Sequence, residues 1–297
     1  MALHPDHLIT FATVARLGSV SAGAIALHRS QPAISLHLKA LSEAAGETLY
    51  TRHRHGVALT AAGESLLPHA QAVVRAMQGA ERSLRDVATL AAGSLRISAS
   101  MTVAVYVLPP LLAKFRAKHP GLELTLLTRN SAEAVALLEA GEADLSFTEG
   151  PAENVSAQLE TNVFARDEII LVTQPDRELA KVGVERALNP KRLNGLAVVR
   201  REPGSGTREV VDRVLQKAGL KPVTVLEATG LEAVKEGALQ DIGAAFLSKL
   251  AVRRELEAGL LVEVAIKGLR LERDMTLLHP VLPLCSHAAR AFLKFVA

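Results

Sequence analysis

The run from Ser19 to Thr60 limits what this chain can fold into more than any other part of it. It reads Ser19-Val-Ser-Ala-Gly-Ala-Ile-Ala-Leu27, then Ser30-Gln-Pro-Ala-Ile-Ser-Leu-His-Leu-Lys-Ala-Leu41, then Tyr50-Thr-Arg-His-Arg-His-Gly-Val-Ala-Leu-Thr60. Ahead of it, Leu8, Phe11, Ala12 and Ala15 recur at helical spacing, so residues 4–17 read as a first helix. Gly18 ends that helix, and Ser19 or Ser21 offers a side-chain oxygen to cap the next one, which runs to about Leu27. Ser30 caps a third helix. Pro32 falls in its first turn, where the missing N–H has no intrahelical partner to lose. Ile34, Leu38 and Leu41 share one face and should point inward. A turn of about 100° per residue puts Pro32, Leu36, Lys39 and Glu43 on the opposite face, flanked by Gln31, Ser35 and Ser42. Leu49–Leu59 reads as a hairpin turning at Gly56, with Arg52, Arg54 and His55 at or near its tip. Such a basic tip is either solvated or set against backbone phosphate, which supplies affinity without sequence information. Helix, helix, helix and basic hairpin in this order make a winged helix-turn-helix over 1–60, a unit that lays its second motif helix in the DNA major groove.

From Ala61 to about Ala91 the chain is helix-forming, and Leu66, Ala70, Val73, Met77, Ala80, Leu84, Val87 and Ala91 keep a heptad. A seven-residue apolar repeat of this length argues for pairing with a second helix, hence a homodimer through a 61–92 linker helix. A helix packed on its own domain is the alternative. After Gly93 the texture changes to strands alternating with helices. Strands are expected at 95–99, 122–127, 143–147, 168–172, 196–199, 223–226, 242–246, 261–265 and 275–278, and helices at 132–139 and 207–218. That alternation means an α/β domain with largely parallel sheet over 93–297, long enough for two lobes around one cleft.

Composition sets limits. Net charge is +3 and the pI near 9.1, so any basic surface is local. His4, His7, His28, His37, His53 and His55 crowd the first sixty residues; they are surface or packed imidazoles, or, for His37, His53 and His55, groups charged beside phosphate. Cys285 is the only cysteine and sits in an apolar run, so it should be buried and inert, and no intramolecular disulfide can form. The N-terminus lacks a basic region followed by an apolar core, and Val103–Ala113 is short and broken by Pro109-Pro110; no secretory leader or membrane span is expected, and the cytoplasm is.

Arg200-Arg-Glu-Pro-Gly-Ser-Gly-Thr207 follows a strand and opens a helix, where free N–H groups and the helix dipole favour an anion. Gly204 and Gly206 allow close approach, Ser205 and Thr207 add hydroxyls, and Arg200, Arg201 or Arg208 adds charge. A plain strand-to-helix turn is the other reading. The spacing fits neither a nucleoside-triphosphate loop nor a dinucleotide fingerprint. Ser98, Ser100 and Thr102 end one strand, Thr148 ends another, and Thr229 precedes a further helix; strand ends of an open α/β sheet gather at one crevice. Hydroxyls and arginines with few aromatics suit a small polar or anionic ligand. Asp144, Glu149 and Glu168 read as ion pairs or solvated surface. No metal spacing, nucleophile elbow or acid–base pair stands out, so no catalytic residue, metal or cofactor is assigned. A solute-binding component of a transporter and a cleft enzyme are the competing classes.

These residues together resemble the LysR-type transcriptional regulators over nearly the whole chain. The motifs are Phe11-x-x-Val14-Ala15, Gly18-Ser19-Val20, Ser30-Gln31-Pro32-Ala33-Ile34-Ser35, Leu49-Tyr50-x-Arg52, Leu59-Thr60-x-Ala62-Gly63 and Leu108-Pro109. The resemblance implies a winged helix-turn-helix, a dimerising linker helix and a two-lobed effector domain like periplasmic binding proteins, with lobe 1 about 93–166 and 269–297 and lobe 2 about 167–268. It implies a homotetramer on double-stranded DNA that responds to a small effector. It also implies DNA contacts from Gln31, Pro32 and Ser35, with Arg52 on the wing, to which the helix and hairpin readings add Ser30, Leu36, Lys39 and Arg54. Effector contacts are implied at Ser100, Thr102, Thr148, Gly204, Ser205, Gly206, Thr207 and Thr229, to which the strand-end and loop readings add Ser98 and Arg200. The 201–208 run resembles the branch concerned with carbon fixation, sulfur assimilation and related anion metabolism. Leu36, where many members carry a polar or basic residue, offers an apolar contact to a thymine methyl.

Overall fold

The computed structural model describes residues 3–53, 56–88, 93–150, 155–156, 158–185 and 187–296, with backbone alone at 78, 81–88 and 182–185. Arg54, His55 and Ala91, singled out above, lie outside these residues. The chain forms two compact units that divide near residue 90.

In the first unit, α1 (Pro5–Leu17) is capped by His4 and stopped by Gly18 in the left-handed region, α2 (Val20–Ala26) is capped by Ser19, and α3 (Gln31–Ala45) is capped by Ser30. Phe11, Ile34, Leu38 and Leu41 are almost wholly buried and form the centre of its core. Helix α3 continues a turn past Ser42 because its left-handed stop is Gly46. Strands β1 (Tyr50–His53) and β2 (Gly56–Leu59) pair antiparallel from Tyr50↔Leu59 to His53↔Gly56. Gly56 therefore opens the second strand instead of making the turn. The backbone next to it is tied down by Val57 N–H donating to Gly18 O at 2.8 Å. Helix α4 (Ala61–Ala88) follows. Ala70 is fully buried and Leu66 and Val73 pack on the α1–α3 core, so the first part of the heptad serves its own domain. Met77 is 47% exposed, and a partner helix would take over from there.

The second unit opens with β3 (Ser94–Ser100), a wide helical turn at Val103–Val107 and α5 (Leu108–Lys118). Next come β4 (Glu123–Arg129), α6 (Ser131–Glu139), β5 (Leu145–Glu149) and β6 (Leu159–Thr173). Then follow α7 (Glu178–Glu185), β7 (Ala197–Arg201), α8 (Gly206–Lys217), β8 (Val223–Ala228) and α9 (Leu231–Leu239). The chain ends with β9 (Ala244–Ser248), α10 (Lys249–Glu257), β10 (Val262–Val264), β11 (Leu271–Pro280) and α11 (His287–Val296).

Among the described residues, nine strands make one sheet in the order β4-β3-β5-β11-β6-β9-β7-β8, with β10 paired to β6. The outer sets are parallel, as alternation of strand and helix predicts: β4 and β5 flank β3, and β8 and β9 flank β7. The middle of the sheet is antiparallel, which corrects the expectation of a largely parallel sheet. The chain leaves the first lobe on β6 and returns on β11, and two strands that carry it out and back beside each other must run in opposite directions. Both are longer than the apolar patterning indicates, because the first half of β6 is largely exposed and that of β11 alternates buried with exposed polar residues.

Each lobe has its own core. Phe115, Phe147 and Phe292 fill the first, with Phe115 and Phe292 edge-to-face at 4.9 Å between centroids. Burying each such ring contributes roughly 1.5–3 kcal/mol. The second lobe buries Leu171, Leu193 and Leu215 on one face of the sheet and Val172, Val234 and Leu247 on the other. Cys285 is buried in the first core, with its Sγ donating to Pro280 O at 3.2 Å, as expected of an inert thiol.

Candidate functional site

The first site is the outward face of α3. Gln31, Pro32, Leu36 and Lys39 are exposed, and Leu36 keeps 65% of its surface although it is a large apolar residue. Core packing of Ile34, Leu38 and Leu41 fixes this rotation of the helix. Ser30 is spent on its cap, accepting from Ala33 N–H. Lys39 pairs with Glu43 one turn on, at 3.7 Å, both well exposed, so the pair adds little stability and leaves the lysine available. Arg52 leans from β1 over the Tyr50 ring and donates to Ser35 Oγ at 3.1 Å, which joins wing to helix.

His37 departs from the reading that placed it charged beside phosphate. Thr10 Oγ1 spends its hydrogen on Asp6 O, so His37 Nδ1–H must donate to Thr10 Oγ1, 2.9 Å away. That leaves Nε2 as an acceptor for Arg29 Nη1 at 3.4 Å. Burial and the charges of the neighbouring His7 and Arg29 push the imidazole pKa down against the opposing pull of Asp6. A histidine that binds protons more weakly when folded contributes full stability above its ordinary pKa and loses it as pH falls below that value. Melting of the first unit should therefore drop between about pH 7.5 and 5.5 in the native chain and drop less in His37→Gln. Parallel slopes would contradict this assignment. Arg29, which also pairs with Asp6 at 3.2 Å, carried no signal in the sequence beyond its charge.

The second site lies where the two lobes of the effector unit meet. Its centre is Arg273, on β11 and fully buried. Its Nε and Nη2 donate to Asp167 Oδ2 on β6 at 2.8 and 2.6 Å, and Nη1 donates to Glu149 at the end of β5. Asp167 also accepts from Ser248 Oγ at 2.8 Å. Glu149 is itself fully enclosed. Its Oε1 accepts from Thr102 N–H at 2.7 Å, and its Oε2 accepts from Thr207 Oγ1 at 3.1 Å. Thr207 Oγ1 in turn accepts from Arg273 Nη1 at 2.8 Å. Burial alone would raise the Glu149 pKa. The Arg273 charge and the hydrogen bonds from Thr102, with the Ser100 hydroxyl beside them, outweigh it and hold the carboxyl below its ordinary range.

The Glu149 carboxylate thus reaches the 203–207 loop through the Thr207 hydroxyl. Thr207 lies in the first turn of α8, where free N–H groups and the helix dipole favour negative charge. Gly206 makes the approach possible: a Cβ there would lie 2.1 Å from Glu149 O and 2.7 Å from Ser131 Oγ. The two lobes also join through Ala132 N–H to Gly204 O at 3.3 Å.

The structure gathers Ser100, Thr102, Gly206 and Thr207 around this carboxylate and leaves other named residues elsewhere. Ser98 is corrected: its hydroxyl lies under α6, donating to Ala134 O at 2.8 Å, with no surface exposed. Arg200 is corrected too, since it pairs with Asp212 on α8. Ser205 caps α8 through its side chain. Thr148 is buried on the opposite face of β5 from Glu149, and Thr229 is exposed beyond β8. Arg201 and Glu202 form a buried two-bond pair at 2.8 and 2.9 Å, and Glu202 also accepts from Gly230 N–H. Of the acidic residues read as ion pairs or surface, Asp144 holds Arg96 and Glu168 faces Lys249. Asp167, Ser248 and Arg273 went unnoticed in the sequence, because more than a hundred positions separate Arg273 from Asp167 and no local pattern links them. A groove of about 480 Å³ adjoins this cluster, lined by Thr161 and Val163 of β6, Val210 and Arg213 of α8, and Glu272, Arg273 and Asp274 of β11. That volume suits a small molecule.

A DNA-reading head joined to a two-lobed domain with a polar centre between its lobes defines a ligand-responsive DNA-binding regulator. The chain belongs to the LysR family: the bacterial regulatory helix-turn-helix of that family matches residues 5–64 and the LysR substrate binding domain matches residues 88–297. It is 32% identical to the RuBisCO operon transcriptional regulator of Allochromatium vinosum over 97% of this chain and 94% of that one. The regulatory domain of Synechocystis CcmR in complex with 2-PG is 25% identical, with a TM-score of 0.62 over 68% of this chain and 95% of that one. Full-length OxyR from Pseudomonas aeruginosa has the same fold at 20% identity, with a TM-score of 0.67 over all of this chain and 95% of that one. The chain is a DNA-binding transcriptional regulator with an effector-binding domain, not an enzyme.

Proposed function

We propose that this regulator binds promoter DNA as a homodimer or homotetramer in the cytoplasm, and that a small acid-bearing metabolite held between the lobes modulates that binding. The observation that carries the reading is the set of donors meeting on the Glu149 carboxylate, which is chemistry suited to an anion. The effector stabilises one arrangement of the lobes, and linker helices joined through the exposed part of α4 pass it to the DNA heads. On DNA, Gln31, Pro32, Ser35 and Leu36 face base edges, while Lys39 and Arg52 lie toward phosphate. The likeness to a RuBisCO-operon regulator and to a domain that binds 2-PG supports a target in carbon or anion metabolism.

Genomic pull-down with the purified chain, repeated with a panel of small acids including 2-PG, tests the reading. It should enrich an intergenic site whose affinity one acid shifts. Gln31→Ala should weaken binding to that site by about 1–3 kcal/mol and leave random DNA nearly unchanged. Equal losses on both would mean Gln31 does not read bases. A second reading seats the effector in the groove beside Arg213, favoured by its volume; Arg213→Ala would then abolish the response while Thr207→Val would spare it.

A further inference from the structure

The Thr102 N–H, the Thr207 hydroxyl and the Arg273 guanidinium, which an effector's acid group would need, are already engaged at the lobe junction. Glu149 presents two oxygens to a backbone N–H of the first lobe and to a hydroxyl of the second, with the Arg273 guanidinium completing the set. A second acid cannot share these donors while Glu149 holds them. Its withdrawal alone would leave the Thr102 N–H, the Thr207 hydroxyl and Arg273 Nη1 buried and short of an acceptor, which is costly. Arg273 would still keep Asp167 through two bonds, so only the Glu149 position is exchangeable without breaking the rest of the cluster. Glu149 is the last residue of its strand, and Gly150 N–H just beyond it donates to Asp274 O at 2.8 Å, so the exchange moves the side chain and leaves the backbone pairing in place.

We propose that Glu149 is the built-in occupant of the acid subsite, and that a carboxylate-bearing effector takes its place between Thr102 and Thr207. The inference rests on the anionic-effector reading above and adds its regulation. The internal latch joins the lobes through the protein's own side chain, with Gly206 pressed against the Glu149 backbone. The exchange replaces that latch with a ligand. A flat two-oxygen group fits the pair of donor directions that Glu149 satisfies, so a carboxylate is the class of group admitted.

Calorimetric titration of the full chain with glycolate, succinate, 2-PG and inorganic phosphate tests the exchange. Glu149→Gln keeps the shape and removes the competing charge, and should bind at least one of the carboxylates tenfold or more tighter than the native chain. Adding Thr207→Val to that variant should remove the gain. Glu149→Asp, which withdraws the carboxylate by one methylene, should give the same ordering at smaller size, and serves if the glutamine variant does not fold. Equal carboxylate affinity in native chain and variants would overturn the exchange while leaving an anionic effector in place. A gain for phosphate alone would overturn the carboxylate assignment. Binding of no acid to either protein would overturn both the exchange and the reading beneath it.

Discussion

Arg273→Ala destabilises the effector domain by about 3–5 kcal/mol, the expected result of stripping a buried ion cluster of its one cation. Two carboxylates, Glu149 and Asp167, then remain enclosed without a counter-charge. Equilibrium urea unfolding of the full chain measures the loss as an earlier transition of this domain, with that of the DNA-binding unit unmoved. Adding Glu149→Gln and Asp167→Asn to Arg273→Met should recover most of the loss, because no charge then stands alone. The pH dependence has a definite sign. Glu149 in the native domain is held below its ordinary range, so its contribution is complete near neutrality and is lost as pH falls toward the folded value. In Arg273→Ala the remaining carboxylates gain by taking up protons, so native and variant stabilities should converge on acidification. A loss below about 1 kcal/mol at neutral pH would mean the cluster is hydrated and not enclosed.

Gly206→Ala is expected to cost about 1–3 kcal/mol and to part the lobes. The added methyl would stand 2.1 Å from Glu149 O, a backbone atom that no rotamer change can move aside. Relief must come from moving the start of α8 away from β5, which lengthens the Thr207–Glu149 bond. The same urea experiment reads the stability, and small-angle scattering of the full chain reads the wider lobe spacing. Unchanged stability and spacing would show that α8 approaches β5 less closely than this geometry requires. DNA binding by the isolated head contacts should persist, since α3 and the wing belong to the other unit.

Much of the first unit was legible from residue order. Ser19 and Ser30 cap helices because their side chains suit that position, and Gly18 stops one because it adopts the left-handed conformation without penalty. The Ile34–Leu38–Leu41 stripe fixed which side of α3 meets solvent. These are signals within four residues of one another. The heptad of α4 was legible as a pattern and not as an outcome, since Leu66, Ala70 and Val73 found partners on their own domain. In the second unit the short apolar strands were visible, while the polar beginnings of β6 and β11 were not, although those two strands tie the lobes together.

The site between the lobes divides along the same line. The run from Gly204 to Thr207 announced an anion, because a glycine-bearing turn opening a helix presents free N–H groups whatever its surroundings. Which anion fills it was beyond any local pattern. Glu149, Asp167 and Arg273 meet only because β5, β6 and β11 lie side by side, and Ser98 and Arg200 are diverted only because α6 and α8 offer nearer partners. The helices of the first unit, their caps, the solvent-facing side of α3 and a helix start that favours negative charge follow from residue order, because short-range sterics and hydrogen bonding set them. That the Glu149 carboxylate meets Thr207 at that helix start comes from the packing of distant strands, because charge pairing in a buried site depends on which strands the fold makes neighbours.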